Sequence, residues 1–251
     1  MIKSGLVSIT FRNLSAKEIV ELVSKAGLCG IEWGGDVHVP HGNTNKAKEV
    51  AKMTKDAGLE VASYGSYYNV GFEKEQGISF EKVLETAKEL GAPTIRVWAG
   101  NRSSSDMDKA LWDTVIEESR RISDMAFHEG ITVACEYHAN TLTDTPESAY
   151  KLLAEADHQN LYCYWQPPVG LDDESCIKGL KMITPWLSNI HVFHWENGER
   201  LPLEKGVDKW QKFMKIIKNV KGDRYCMIEF VKNDDPMQFL ADAAILNILA
   251  A

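Results

Sequence analysis

Cysteine is scarce: Cys29, Cys135, Cys163, Cys176 and Cys226 are the only five in 251 residues. Their number is odd and no two stand in C-x-x-C spacing, which excludes a thiolate zinc motif and a disulfide framework. Most sit within apolar runs, as buried free thiols do in a reducing compartment. Basic residues are also in deficit, with 28 Lys+Arg against 36 Asp+Glu and a formal net charge of −8. That disfavours a general electrostatic hold on nucleic acid or an anionic membrane, although a local basic pocket stays open. No apolar run approaches the ~18 residues of a membrane span. The opening MIKSGLVSITF has neither the apolar stretch nor the small-residue cleavage site of a secretory signal. No linker, low-complexity stretch or charge block divides the chain. These absences predict a cytoplasmic protein with no membrane or nucleic-acid partner, folded as one domain over residues 1–251. With 44% hydrophobic and 25% charged residues, the chain has ample material for a buried core.

One alternation runs from end to end. Short β-rich runs are expected at Leu6–Phe11, Cys29–Gly34, Val61–Ser66, Thr94–Ala99, Ile131–His138, Leu161–Gln166, Ile190–Trp195 and Tyr225–Val231. Between them lie helical patterns such as Ser15–Ala26, Ser79–Leu90 and Asp106–Glu129. Ser15 with Glu18 reads as a capping box, Pro146 as a first-turn proline, and Gly27, Gly58, Gly91 and Gly130 as helix stops. Eight such units argue for parallel βαβ repeats closing into a single (β/α)8 TIM barrel, an α/β fold. The rival, an open doubly wound sheet, wants a glycine-rich turn after its first strand. Here Arg12-Asn13-Leu14-Ser15 follows instead.

Barrel strands bury one face under the helices and one toward the axis, with period two. Sending the aliphatic residues outward turns Ala134, Glu136 and His138 inward on the fifth strand, and Tyr162, Tyr164 and Gln166 on the sixth. The same rule turns His191 and Phe193 inward on the seventh, and Met227 and Glu229 on the eighth. Each of the last four strands thus aims one ligand-type group toward the axis near its C-terminal end, where barrel active sites form. Two carboxylates converging there repel each other and are costly to bury alone. A divalent cation resolves both problems, and three oxygens with one imidazole suit Mn²⁺, Mg²⁺, Co²⁺ or Zn²⁺. The plainer reading is a structural ion pair, with the inward Arg96 neutralising either carboxylate. His191 by itself reads as an ordinary core histidine, and only the company of the two glutamates reverses that. Gln166 reads equally as a ligand or as a hydrogen-bonding rim residue. Tyr64, Tyr67, Tyr68, Trp98, Trp165 and Trp195 read first as packing, though several end strands where an aromatic wall could face a sugar ring.

At these residues the sequence resembles the xylose isomerase-like TIM barrels, a superfamily that includes ketose 3-epimerases, inosose dehydratases and, more distantly, endonuclease IV. Gly30-Ile31-Glu32-Trp33, Cys135-Glu136-Tyr137-His138, Ile190-His191-Val192 and Met227-Ile228-Glu229 carry the resemblance. It implies a metal held by Glu136, Gln166, His191 and Glu229, with Glu136 and Glu229 exchanging protons with substrate. Two departures stand out: Gln166 replaces the family's aspartate, and His194 takes the place of His191 if the seventh strand is shifted, although parity favours His191. Arg200 resembles a substrate-contacting arginine. With His138, Trp98, Arg96, His38 and His194 it completes the candidates for touching substrate, and His41 joins His38 as a rim candidate. The implied activity is metal-dependent isomerisation or epimerisation of a sugar or sugar phosphate by proton transfer beside a carbonyl. Dehydration of a cyclic polyol, or a barrel that only binds a sugar, are the alternatives. The expected partner is a small carbohydrate, and a homo-oligomer is open.

Overall fold

The first strand, β1 (Ile2–Val7), is closed on both sides, by β2 (Gly30–Gly34) and by β10 (Arg224–Ile228). Between these lie β3 (Glu60–Asn69), β4 (Thr94–Trp98), β5 (Thr132–Glu136), β6 (Leu161–Trp165) and β7 (Leu187–Val192), each paired in parallel with its neighbours. The result is a closed eight-stranded barrel, the (β/α)8 architecture expected from the alternation. The computed structural model describes residues 1–251.

Helices cover the outside: α1 (Ala16–Lys25), α2 (Thr44–Asp56), the single turn α3 (Glu73–Gln76), α4 (Phe80–Leu90), α5 (Lys109–His128), α6 (Pro146–Ala156), α7 (Asp173–Ile183), α8 (Val207–Ile217) and α9 (Pro236–Ala250). Local chemistry sets their ends. Ser15 and Glu18 form the reciprocal capping box of α1, a device that stabilises by about 1 kcal/mol. Pro146 opens α6 beside the Thr145 cap, and Gly91 closes α4 at φ 71°, which a side chain would resist. No helix is long and apolar enough to cross a membrane.

Several strands end earlier than their apolar runs. The first was expected to reach Phe11, but Ser8–Phe11 turn into a 3-10 helix, with the Ser8 hydroxyl accepting from the Gly34 amide at 2.9 Å. The seventh was expected over Ile190–Trp195; it spans Leu187–Val192, and Trp195 pairs instead in a two-stranded antiparallel ribbon, β8 (Trp195–Glu196) with β9 (Glu199–Arg200). Apolar residues continue past the last barrel pairing because they pack under the loops, which period-two reading cannot separate from strand.

The large core lies between strands and helices. A second, small one (Val7, Ile9, Ala62, Ala134, Tyr164 and Met227) fills the barrel axis. Above this plug, toward the C-terminal strand ends, the axis is polar: Glu32, Arg96, Glu136, His191 and Glu229 are all buried.

Candidate metal and acid-base site

Six strands contribute one side chain each. Glu32 and Arg96 project from within β2 and β4, Glu136 ends β5, His191 lies on β7, and Gln166 and Glu229 follow the last residues of β6 and β10 directly. The inward parity expected for the last four strands is the one the barrel displays, because Val133, Cys135, Cys163, Ile190, Val192, Cys226 and Ile228 take the helix side. His191 Nδ1 lies 3.2 Å from Gln166 Oε1, 3.4 Å from Glu229 Oε2 and 3.5 Å from Glu136 Oε1. Donors bonded to one ion at ~2.1 Å stand at about such separations from each other. Glu136, His191 and Glu229 therefore form a cluster that could hold a metal ion. The opposite ring nitrogen, Nε2, is buried without a hydrogen-bond partner and faces Glu32 Oε1 at 3.6 Å. Metal-binding histidines turn their second nitrogen toward a carboxylate in this way.

The charges support the same fit. With His191 unprotonated, as a metal ligand must be, three carboxylates and one guanidinium leave an excess of two negative charges in a buried space, which a divalent cation balances. Arg96 lies between two of the carboxylates. Its Nε donates to Glu32 Oε1 at 2.7 Å and its Nη1 to Glu136 Oε2. Ser63 Oγ donates to Glu32 Oε2 at 2.7 Å, and Trp98 Nε1 donates to Glu136 Oε2 at 2.6 Å. Burial opposes charge on Glu32, but Arg96 and then His191 outweigh it and bring the carboxyl down to about 2. Glu136 is lowered by the same opposition of burial and Arg96. Burial likewise disfavours a charged His191, yet Glu229 and Glu32 raise it well above its ordinary value.

The aromatic rim is strained. Tyr67 sits in a shift of register between β3 and β4, at φ 57°, rare for a bulky residue. Its ring covers the Arg96 guanidinium at 4.8 Å and meets Trp98 edge-on at 5.3 Å, while Trp98 stacks on His138 at 5.2 Å. Burial pushes the Tyr67 phenol up to about 12.

The other candidates fall in different places. Arg96, named as a substrate contact, bonds Glu136, one of the two carboxylates the ion-pair reading offered it, and Glu32, which that reading did not name, while its Nη2 is buried without a partner. His38 is not at the rim: it is buried, with Nδ1 on Ser8 Oγ at 3.0 Å and Nε2 on the Leu14 carbonyl at 3.1 Å. His194 lies outside the cluster, 3.2 Å from Glu196. Arg200 pairs with Asp234 and rests on Phe230 and Trp195. His41 meets the Ser66 carbonyl at 2.5 Å. His138 holds the Ala139 carbonyl with Nδ1 at 2.7 Å. Glu32 was missed as a site residue, although the parity rule reaches it: Ile31 and Trp33 belong to the outer core, so the residue between them must face the axis.

Gly65 makes the room for this ion-pair centre. A Cβ there would stand 2.7 Å from Arg96 Nη2 and 2.9 Å from Glu32 Oε1. Both groups are buried, so Gly65→Ala should displace Arg96 and lower the melting temperature by roughly 5 °C, the effect of an overpacking cost of about 1–3 kcal/mol. Thermal melts of the two proteins check this; equal melting would mean the guanidinium has slack.

The family model described as xylose isomerase-like TIM barrel matches residues 20–247. The chain belongs to this family. A 3-dehydroshikimate dehydratase of Bacillus anthracis is 25% identical over 266 residues, covering 91% of this chain and 90% of its own. The solved structure of a probable 3-DHS dehydratase from the same organism matches with a TM-score of 0.81 at 22% identity over 98% of both chains. A xylose isomerase-like TIM barrel protein from Mycobacterium smegmatis, in complex with magnesium, gives 0.75 at 17% identity over 99% of this chain and 96% of its own. D-psicose 3-epimerase from Clostridium cellulolyticum H10, with D-tagatose, gives 0.72 at 15% identity over 98% of both chains. The structural matches show a shared fold, and the relatives include enzymes of both the dehydratase and the epimerase type.

Proposed function

We propose that this chain is a divalent-metal-dependent dehydratase that removes a proton from the carbon beside a ketone of a small polyhydroxylated substrate and expels a neighbouring hydroxyl as water. The carrying observation is the unequal commitment of the carboxylates: Glu32 and Glu136 are both bonded to Arg96, whereas Glu229 meets only His191. One free base suits elimination. Epimerisation needs a second acid–base group able to act on the opposite face, and Arg96 and Trp98 hold Glu136 in its charged form. The dehydratase relative at 25% identity supports the same choice. This reverses the order of the two activities inferred from the residues and family resemblance alone.

Glu136, Gln166, His191 and Glu229 would hold the ion, which when bound supplies Lewis-acid polarisation of a substrate carbonyl. Glu229 turns Oε2 toward that centre, leaving Oε1 to accept the substrate proton. His138, whose Nδ1–H donates to the Ala139 carbonyl, carries a proton on Nε2 only as the imidazolium, and from that form it would hand the departing hydroxyl its proton and be left neutral. Glu32, bonded to Arg96 and facing His191 Nε2 at 3.6 Å, would orient Arg96 and attract the outer nitrogen of the histidine without touching substrate. Trp98 and Tyr67 form the apolar wall over the charged floor.

Epimerisation is the second reading, favoured by one observation: Glu136 Oε1, unlike Oε2, is clear of Arg96 and faces the same centre as Glu229. A panel of cyclic β-hydroxyketones and of ketoses, incubated with Mn²⁺ or Mg²⁺ in D₂O, separates the two. The dehydratase yields a conjugated product with new ultraviolet absorbance. The epimerase incorporates deuterium at one stereocentre with no change in absorbance, and that result would overturn the proposal. Chelation should abolish turnover and lower the melting temperature by roughly 5–10 °C, the effect of losing a ligand held at about a hundred times its Kd; unchanged melting would argue against a resident ion.

A further inference from the structure

Helix α9 inverts the pattern of a surface helix. Its only charged residue, Asp242, is buried, accepting from the Leu203 amide at 2.9 Å and from Gln238 Nε2 at 2.9 Å. Its exposed stripe is apolar: Met237 is 67% and Ile248 74% exposed, Ala241 and Ala244 lie exposed between them, and Leu240 and Ile245 are half-buried at the edges. Alone among the nine helices it contains no Lys, Arg or Glu. The opposite face, with Phe239, Ala243, Leu246 and Leu249, is already packed in the barrel core. A helix apolar all round belongs in an interior, and an outer face of this kind marks a covered surface.

The order of residues along the stripe says what covers it. About the midpoint between Asp242 and Ala243, Met237 mirrors Ile248, Leu240 mirrors Ile245, and Ala241 mirrors Ala244. The 4-3-4 spacing of Met237, Ala241, Ala244 and Ile248 is that of a helix-packing seam. A two-fold axis through the midpoint makes each residue meet its mirror partner on a second copy, which is the condition for an isologous interface. Large side chains then flank a small-residue centre over about 16 Å of helix. No like charges are brought together, although the chain as a whole carries −8.

We propose that α9 is the seam of a homodimer, packed antiparallel against α9 of a second copy. In sedimentation analysis the intact chain should run at twice its 28.1 kDa mass down to about 1 µM. Ala244→Arg and Ile248→Lys, both on the exposed face, should each give the 28.1 kDa species with an unchanged circular dichroism spectrum. Direction is tested by oxidation in a Cys29→Ser background. A mixture of Ala241→Cys and Ala244→Cys chains should cross-link to each other faster than either does to itself. A wild-type monomer at all concentrations overturns the proposal, leaving the stripe to a different partner. A dimer that survives both charge substitutions, or Ala244→Cys preferring itself, overturns it equally.

Discussion

Glu229→Gln should lower turnover by about 10³-fold, within the 10²–10⁴-fold typical of a positioned acid–base group, with metal saturating so that loss of the ligand charge is not the quantity measured. The substitution keeps shape and one ligating oxygen and removes the capacity to accept a proton. Glu229 is the residue on which this loss should fall because it alone among the three buried glutamates has no guanidinium partner. Steady-state kinetics on whichever substrate of the panel is turned over, together with metal titration of the variant, provide the check. Turnover near the wild-type value would remove Glu229 from the chemistry and with it the proposed mechanism.

Arg96→Met should cost about 3–5 kcal/mol, the usual penalty for stripping one partner from a buried ion pair. For a chain of this length that is a fall in melting temperature of roughly 10 °C. Arg96 is 1% exposed and bonds Glu32 and Glu136 at once, so its removal leaves two buried carboxylates without the guanidinium they share. Adding Glu32→Gln should recover part of the loss, because the two residues act as a unit and their effects are not additive. The sign of the pH dependence also separates this account from simple loss of packing. In the wild type the Glu32 carboxyl is lowered to about 2, so its contribution is fully present above the unfolded value near 4.3 and is lost as pH falls toward 2. In Arg96→Met burial without the guanidinium raises the carboxylates above their unfolded value, so the variant should instead gain stability as pH falls from neutrality toward about 4.3 and gain nothing further below it. Thermal melts between pH 3 and pH 7 measure this; a variant within 2 °C of wild type throughout would mean that Arg96 is dispensable to the fold.

Much of the architecture was legible because it rests on local periodicity. The eight-fold alternation predicted the closed barrel, and the aliphatic positions on β5, β7 and β10 indicated that Glu136, His191 and Glu229 turn inward. The caps of α1 and α6 were readable for the same reason: each involves residues within a turn of one another. Strand ends were less so, as with Leu6–Phe11, where a buried 3-10 turn has the composition of a strand. His38 looked like a rim residue because its loop position says nothing of Ser8 and Leu14, 30 and 24 residues away. Glu32 was within reach of the parity rule, but its importance depends on Arg96, which lies 64 residues further along the chain.

By itself, then, the sequence determined which side chains face the barrel axis, since that follows from the two-residue repeat of a strand and the need to put aliphatic groups under helices. Only the tertiary structure decided how those side chains share their charges. Closing the barrel brings Arg96 within bonding distance of Glu32 and Glu136 but not of Glu229, and electrostatic interaction in a buried site is governed by separations of a few ångströms that no spacing along the chain records.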